Sequence, residues 1–309
     1  MKKLIERLSL TAPTSILTQL RCFMTGVSLI LLVVSMTIMG VKGFNWGLDF
    51  TGGVVAEVAI DQTVASSELK AHLDKVLKQD VQVTQGAQAG QWTIRYNHDE
   101  LPDLSITQQL LPVSDSVQVY SNSVVGPQVG QEMVEQGGLA VIACLLLIMV
   151  YLSMRFDWRL ASGALMALIT DIVIVLGMFS LFQLEFNLTV LAALLAVLGY
   201  SLNDSIIIAD RVRELMRMRP ESKTAPIIDD AVKATFSRTL VTSGTTLVTV
   251  SSLWLLAGDS LQGFSVALFV GIVCGTCSSV ALGVTLPQWF GLKASDYIVR
   301  PIEVEEGYT

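Results

Sequence analysis

The sequence predicts a polytopic α-helical membrane protein with six transmembrane helices and a ferredoxin-like α+β domain between helices 1 and 2. Of its 309 residues, 52% are hydrophobic and only 15% are charged, a composition too apolar for a soluble globular domain. Windows of about 20 apolar residues, the length needed to cross about 30 Å of hydrocarbon, recur along the chain. They lie at 22–40, 137–154, 160–182, 186–208, 240–257 and 264–286.

The distribution of Lys and Arg predicts the orientation. Most of the 20 basic residues precede the first window, separate the second from the third or the fourth from the fifth, or follow the sixth. Because positive residues in short loops stay cytoplasmic, both termini are predicted to be cytoplasmic. The predicted organisation begins with a cytoplasmic N-terminus at 1–21, transmembrane helix 1 at 22–41, and an external domain with its connector at 42–136. Helices 2–6 follow within 137–290, with a cytoplasmic loop at 209–239, and the chain ends in a cytoplasmic tail at 291–309.

The external segment alternates between strand and helix patterns. Strands are predicted at 54–60, 81–84, 92–96 and 117–125, and helices at 66–77 and 106–111. The resulting β-α-β-β-α-β order is typical of a ferredoxin-like fold. Such a fold indicates little about function by itself.

Charge and cysteine content exclude several classes of partner and site. The net charge of −7 argues against a nucleic-acid partner, and the basic loop between the fourth and fifth windows indicates a topology signal in contact with anionic membrane lipid. Cys274 and Cys277 have CxxC spacing, but a redox site needs a thioredoxin-like context. The neighbouring Gly271 and Gly275 instead predict a small-residue face for helix packing. The two histidines are isolated, so no metal site is predicted.

A carboxylate interrupts the fourth apolar window. The stretch GYSLNDS at 199–205 places Asn203, Asp204 and Ser205 within it. Burying such a carboxylate costs roughly 2.5–3.5 kcal/mol on insertion scales, so it normally faces the protein interior or a water-filled path and marks ion or substrate handling. The alternative is an ion pair that only joins two helices.

The fifth window begins with a possible partner for this carboxylate. In RTLVTSGTT at 238–246, Arg238, Thr242 and Thr246 share one helical face. Asp171, midway along the third window, is a second intramembrane carboxylate, suited either to a hydrogen bond with a hydroxyl or to ion handling. If these residues handle an ion, its identity is open. A proton needs one titrating carboxylate, whereas sodium needs several converging oxygens, here from Asp171, Thr170, Asp204, Asn203 and Ser205.

Glycines and aromatic residues follow the first window in FNWGLDFTGG at 44–53. The aromatic residues suit a membrane interface, and Gly52 and Gly53 permit positive φ angles. Together with Asp49, they indicate either a functional hinge or a tight exit turn from the membrane.

Three stretches, at 44–53, at 199–205 with 210–214, and at 238–246, resemble the SecD/SecF family of the bacterial Sec preprotein translocase, which is related to the resistance-nodulation-division superfamily. The resemblance implies a multi-pass protein of the inner membrane with a periplasmic domain, partnered by SecD and the SecYEG channel. It also implies an ion gradient that drives preprotein export, no enzymatic activity, and no cofactor other than the coupling ion.

In that family the residues that match Asp204, Arg238 and Thr242 belong to the ion pathway, and the resemblance favours H⁺ over Na⁺. Several relatives carry a histidine directly before the carboxylate that matches Asp171, where this chain has Thr170.

Two other classes of membrane protein fit the sequence less well. An intramembrane aspartyl protease would need a Gly-x-Gly-Asp pattern, which is missing around Asp204, and a drug exporter would need a larger external domain.

Overall fold

The computed structural model describes residues 15–61, 64, 66–77, 81–86, 90–96, 107, 110–112, 116–256 and 261–297. In chain order the elements are α1 (Ile16–Lys42), β1 (Asn45–Trp46), α2 (Leu48–Thr51), β2 (Gly53–Ala59), α3 (Ser66–Leu77), β3 (Gln82–Gln85), β4 (Gln91–Tyr96), β5 (Gln118–Val125), α4 (Pro127–Arg155), α5 (Trp158–Phe182), β6 (Glu185–Phe186), α6 (Leu188–Met218), α7 (Thr224–Leu256), α8 (Gln262–Trp289) and a 3-10 helix (Ala294–Tyr297).

Among the described residues, six helices are long and apolar enough to cross a membrane: α1, α4, α5, α6, α7 and α8. This confirms the predicted polytopic six-helix architecture. The helices extend past the apolar windows, most clearly around the predicted loop at 209–239, where α6 continues to Met218 and α7 already begins at Thr224. Helix α7 begins this early because its residues Ile227, Ile228 and Ala231 are buried against the bundle.

The central helix of the bundle is α8, which packs against α1, α5, α6 and α7. Small residues allow this close approach: a Cβ on Gly275 would lie 3.0 Å from Ser201 Cβ, and one on Gly271 would overlap Val197. The small-residue face predicted for this helix is therefore confirmed. Cys274 and Cys277 are free thiols on the same helix.

The segment between α1 and α4 forms a four-stranded antiparallel sheet in the order β3-β4-β2-β5, with α3 beside it. Its core contains Val54, Ala56, Leu69, Leu73 and Ile94. The predicted helix at 106–111 lies largely outside the described residues. The ferredoxin-like assignment therefore stays a prediction.

Candidate functional site

Asp171 lies where α5, α6 and α8 meet. The residue is fully buried, and its Oδ2 accepts a hydrogen bond from Ser201 Oγ on α6 at 2.6 Å. A Cβ on Gly275 of α8 would lie 3.3 Å from the same Oδ2, so the glycine leaves room for the carboxylate. The other oxygen, Oδ1, has no hydrogen-bond partner among the described residues. The predicted hydroxyl contact thus satisfies only half of this carboxylate.

Asp204 lies on α6, about one turn beyond Ser201. It is only 2% exposed, and its Oδ2 has no hydrogen-bond partner within the described part of the chain. The hydroxyl of Ser205 beside it is also buried without a partner there. A buried carboxylate oxygen without a hydrogen bond costs free energy, and protonation of the carboxylate, a water molecule or a bound cation would lower that cost. Asp171 and Asp204 therefore define the candidate site.

Arg238, the candidate partner of Asp204, forms no direct ion pair with it in this structure. Arg238 is exposed, and no ion pair within 4.0 Å joins it to any carboxylate of the described residues. The reason is the rotation of α7, because Thr239 and Ser243 occupy its buried face and place Arg238 beside that face. Arg238 still lies close enough to interact with Asp204 through its charge.

Thr242 is half-buried and bonds its own helix. Its Oγ1 donates to the carbonyl of Arg238 at 3.0 Å or of Thr239 at 3.1 Å. The polar contact between α7 and α8 is made instead by Ser243 and Thr276, whose hydroxyl oxygens are 2.8 Å apart. Ser243 was not predicted from the sequence, although it lies in the same motif, because the chosen helical face began at Arg238.

The oxygen set predicted for sodium does not converge as a whole. Asn203 is exposed on α6, and Thr170 donates to the carbonyl of Met166 at 2.8 Å within α5. Among the predicted ligands, Asp171, Asp204 and Ser205 are buried and have an oxygen without a partner in the described residues. Asn203 therefore lies away from the buried oxygens, whereas Thr170 is buried and keeps its oxygen lone pairs while its hydroxyl donates within the helix.

The glycine-rich segment after α1 is tied to the start of α6. Asp49 Oδ2 accepts a hydrogen bond from the backbone N–H of Leu188 at 2.9 Å, and Asn187 caps the same helix through Val190 N at 3.1 Å. Gly52 and Gly53 have φ angles of 68° and 124°, which favour glycine. Asp49 thus links this segment to the helix that carries Asp204.

A second connection joins the α/β domain to the helices. Arg95 on β4 forms an ion pair with Glu185, which lies between α5 and α6. Glu185 also pairs with Asn45 in the short parallel ladder of β1 and β6. The sequence offered no signal for this contact, because the two charged residues are far apart along the chain.

A buried ion pair on the opposite side of the bundle was also not predicted. Arg21 of α1 is fully buried, and its Nη2 lies 2.9 Å from Oδ1 of Asp229 on α7. Thr18 donates to Asp229 Oδ2 at 2.5 Å, Ser15 also donates to that oxygen, and Arg21 Nη1 donates to Thr285 of α8 at 3.3 Å. From the sequence, Arg21 counted only as one of the basic residues that set the topology.

Comparison with known proteins identifies the class. Residues 105–293 match the model of the protein export membrane protein SecD/SecF, C-terminal, and residues 37–64 match the SecD/SecF GG motif. The chain therefore belongs to the SecD/SecF family of protein-export membrane proteins.

Within this family, the chain is similar to SecF subunits of several bacteria. It is 39% identical to protein translocase subunit SecF of Vibrio alginolyticus, over 91% of this chain and 90% of the relative. It is 37% identical to the SecF subunit of Escherichia coli O157:H7, over 91% of this chain and 89% of the relative.

A solved structure has the same arrangement. The crystal structure of SecDF from Thermus thermophilus, a translocon-associated membrane protein, matches with a TM-score of 0.78 and 32% identity. The match covers 90% of this chain but only 38% of the SecDF chain. The chain thus spans less than half of the length of that protein.

Proposed function

We propose that this chain is an ion-coupled subunit that, together with SecD, drives late steps of preprotein export through the SecYEG channel. The observation that carries the proposal is the pair of buried carboxylates, Asp171 and Asp204, each with one oxygen that lacks a partner in the described residues. Intramembrane carboxylates of this kind mark ion pathways. We propose that neither carboxylate is catalytic and that the coupling ion is the only cofactor.

Protonation of Asp204, or cation binding to it, changes one charge inside the helix bundle. Such a change biases α6 and its neighbours between two packing arrangements. The hydrogen bond from Leu188 to Asp49 ties the start of α6 to the segment that precedes the α/β domain. A shift of α6 would therefore reach that domain through Gly52 and Gly53. One charge that crosses 100 mV supplies about 2.3 kcal/mol for this motion.

We propose H⁺ as the coupling ion, with Na⁺ as the alternative. The exposure of Asn203 removes one oxygen from the set that a sodium site would need. A proton needs one carboxylate, whereas sodium takes several oxygen ligands.

We also propose that the protein lies in the bacterial inner membrane with both termini in the cytoplasm, as the distribution of basic residues predicts. The α/β domain is then periplasmic. Its assignment as ferredoxin-like is supported by the sheet order, in which β4 lies between β2 and β3.

Export by inverted membrane vesicles tests the function. Vesicles that contain SecYEG and SecD should export a model preprotein faster under an ion gradient only when this chain is present. Equal stimulation without the chain would overturn the proposal.

A further inference from the structure

A polar cavity lies at the end of the bundle that carries the α6–α7 turn. It has a volume of about 520 Å³ and lies between the α4–α5 turn, the last turns of α6 and the 3-10 helix. Arg155, Arg213 and Arg217 line it, and the same three arginines line an adjoining cavity of about 320 Å³. Asp157 and Asp296 also line the first cavity. This end of the bundle therefore places several guanidinium groups in a polar cavity that is open to the surface.

Carboxylates balance some of the arginines in this region but not others. Arg155 pairs with Asp210 at 2.7 Å, Arg159 with Asp296 at 2.5 Å, and Arg211 with Glu214 at 2.6 Å.

The remaining two arginines, Arg213 and Arg217, form no ion pair with a carboxylate in the described ranges. Arg213 donates one hydrogen bond, to the carbonyl of Arg155 at 3.1 Å. Because a guanidinium has five N–H donors, both side chains keep capacity for an anion.

A buried hydroxyl, that of Tyr297, also lines the cavity. The Tyr297 hydroxyl is buried and makes no hydrogen bond within 3.5 Å to a described residue. The Asp157 carboxylate is nevertheless close enough to attract its proton. Burial first, and then the neighbouring Asp157, raise the pKa of the Tyr297 phenol. The phenol therefore stays protonated at neutral pH and can donate a hydrogen bond to an anion.

Exposed apolar side chains lie near the cavity, since Met154 lines it and Trp158 directly follows the lining residue Asp157. Met154 is 85% exposed and Trp158 is 65% exposed, and Trp158 stacks on Phe290 with the ring centroids 6.1 Å apart. Exposed aromatic residues at the ends of membrane helices favour the level of the lipid headgroups. A ligand in the cavity would thus have a polar end inside and an apolar end beside these side chains.

We propose that this cavity binds the phosphate of an anionic phospholipid headgroup through Arg213 and Arg217, with the Tyr297 hydroxyl as a third donor. Guanidinium groups match phosphate oxygens in geometry and charge, and basic pockets between membrane helices bind anionic headgroups. A signal for membrane topology needs only positive charge, whereas here the arginines line a cavity together with a buried hydroxyl. The proposal does not depend on ion coupling.

Lipid binding to the full chain in detergent tests this site. The probes are phosphatidylglycerol and phosphatidylcholine with identical acyl chains, measured by native mass spectrometry. Arg213→Gln/Arg217→Gln should weaken phosphatidylglycerol binding by about 25-fold, at about fivefold per arginine, and leave phosphatidylcholine binding unchanged. The matched control is Arg211→Gln/Arg219→Gln, which removes two arginines that pair with Glu214 and Asp230. It should stay within about twofold of the natural chain.

Two further variants keep the test decisive. Arg213→Lys/Arg217→Lys preserves the charges needed for insertion and should still weaken binding several-fold, because lysine lacks the planar fork. Tyr297→Phe should produce a smaller loss. Equal losses in the control, no preference for phosphatidylglycerol, or competition by millimolar inorganic phosphate would overturn the lipid assignment. Loss of a protein partner from the Gln variant with intact lipid binding would overturn it as well.

Discussion

Arg21 at the start of α1 and Asp229 in the first turns of α7 form an ion pair of 2.9 Å that is almost completely buried. The pair joins two helices separated by more than half of the chain, and Thr285 extends it to the central helix α8. Breaking a buried pair leaves an uncompensated charge. This contact therefore fixes the position of α7, which also carries Arg238.

Removal of the carboxylate at this pair is expected to destabilise the bundle strongly. Asp229→Asn should cost about 3–5 kcal/mol, because Arg21 remains buried without a counterion. The control is the adjacent Asp230→Asn, which breaks an exposed pair with Arg219 and should cost at most about 1 kcal/mol. Thermal unfolding in detergent measures both variants, and equal losses would contradict the difference in burial.

The close contact between α6 and α8 predicts that a methyl group added at Gly275 lowers the stability of the protein. Gly275→Ala should destabilise the protein by about 1–3 kcal/mol, because its Cβ would lie 3.0 Å from both Cβ and Oγ of Ser201. Gly199→Ala on α6 is the control, since a Cβ there meets nothing within 4 Å. It should be neutral or stabilising by up to about 1 kcal/mol. A neutral Gly275→Ala would mean that the helices do not pack this closely.

Asp204→Asn should abolish the ion-driven part of protein export, because Asn fills the same space without a switchable charge. Export in inverted vesicles, with and without a gradient, measures the effect, and insertion should be unchanged. The matched control is the exposed neighbour Asn203→Ala, which should retain the stimulation. Full stimulation in Asp204→Asn would remove this residue from the pathway.

Arg238 and Asp204 are expected to act in one step although they form no direct ion pair in this structure. Arg238→Met should lower gradient-driven export about as strongly as Asp204→Asn, and the double variant should be no worse than either single one. A double-mutant cycle on export rates checks this coupling. Additive losses would show that the residues act separately.

The coupling ion can be identified by separating the two gradients. If protons couple export, an uncoupler should remove the stimulation even when a sodium gradient is maintained. Export rates are measured with sodium present and with sodium replaced by potassium. Stimulation that survives the uncoupler and disappears without sodium would make Na⁺ the coupling ion.

The sequence by itself determined the six membrane helices, because long apolar windows need only be counted against the thickness of a bilayer. It also singled out Asp171 and Asp204, since a carboxylate in such a window stands out from its neighbours. The strand at 118–125 and the helix at 66–77 followed from period and capping, which are local properties.

Only the tertiary structure decided which side chains meet. The rotation of α7 buries Thr239 and Ser243 and leaves Arg238 outside, and a shift of one residue along a helix turns a side chain by about 100°. The pairs of Arg21 with Asp229 and of Arg95 with Glu185 join residues far apart in the chain. Such contacts depend on how helices and sheet pack together, and local sequence patterns do not contain that information.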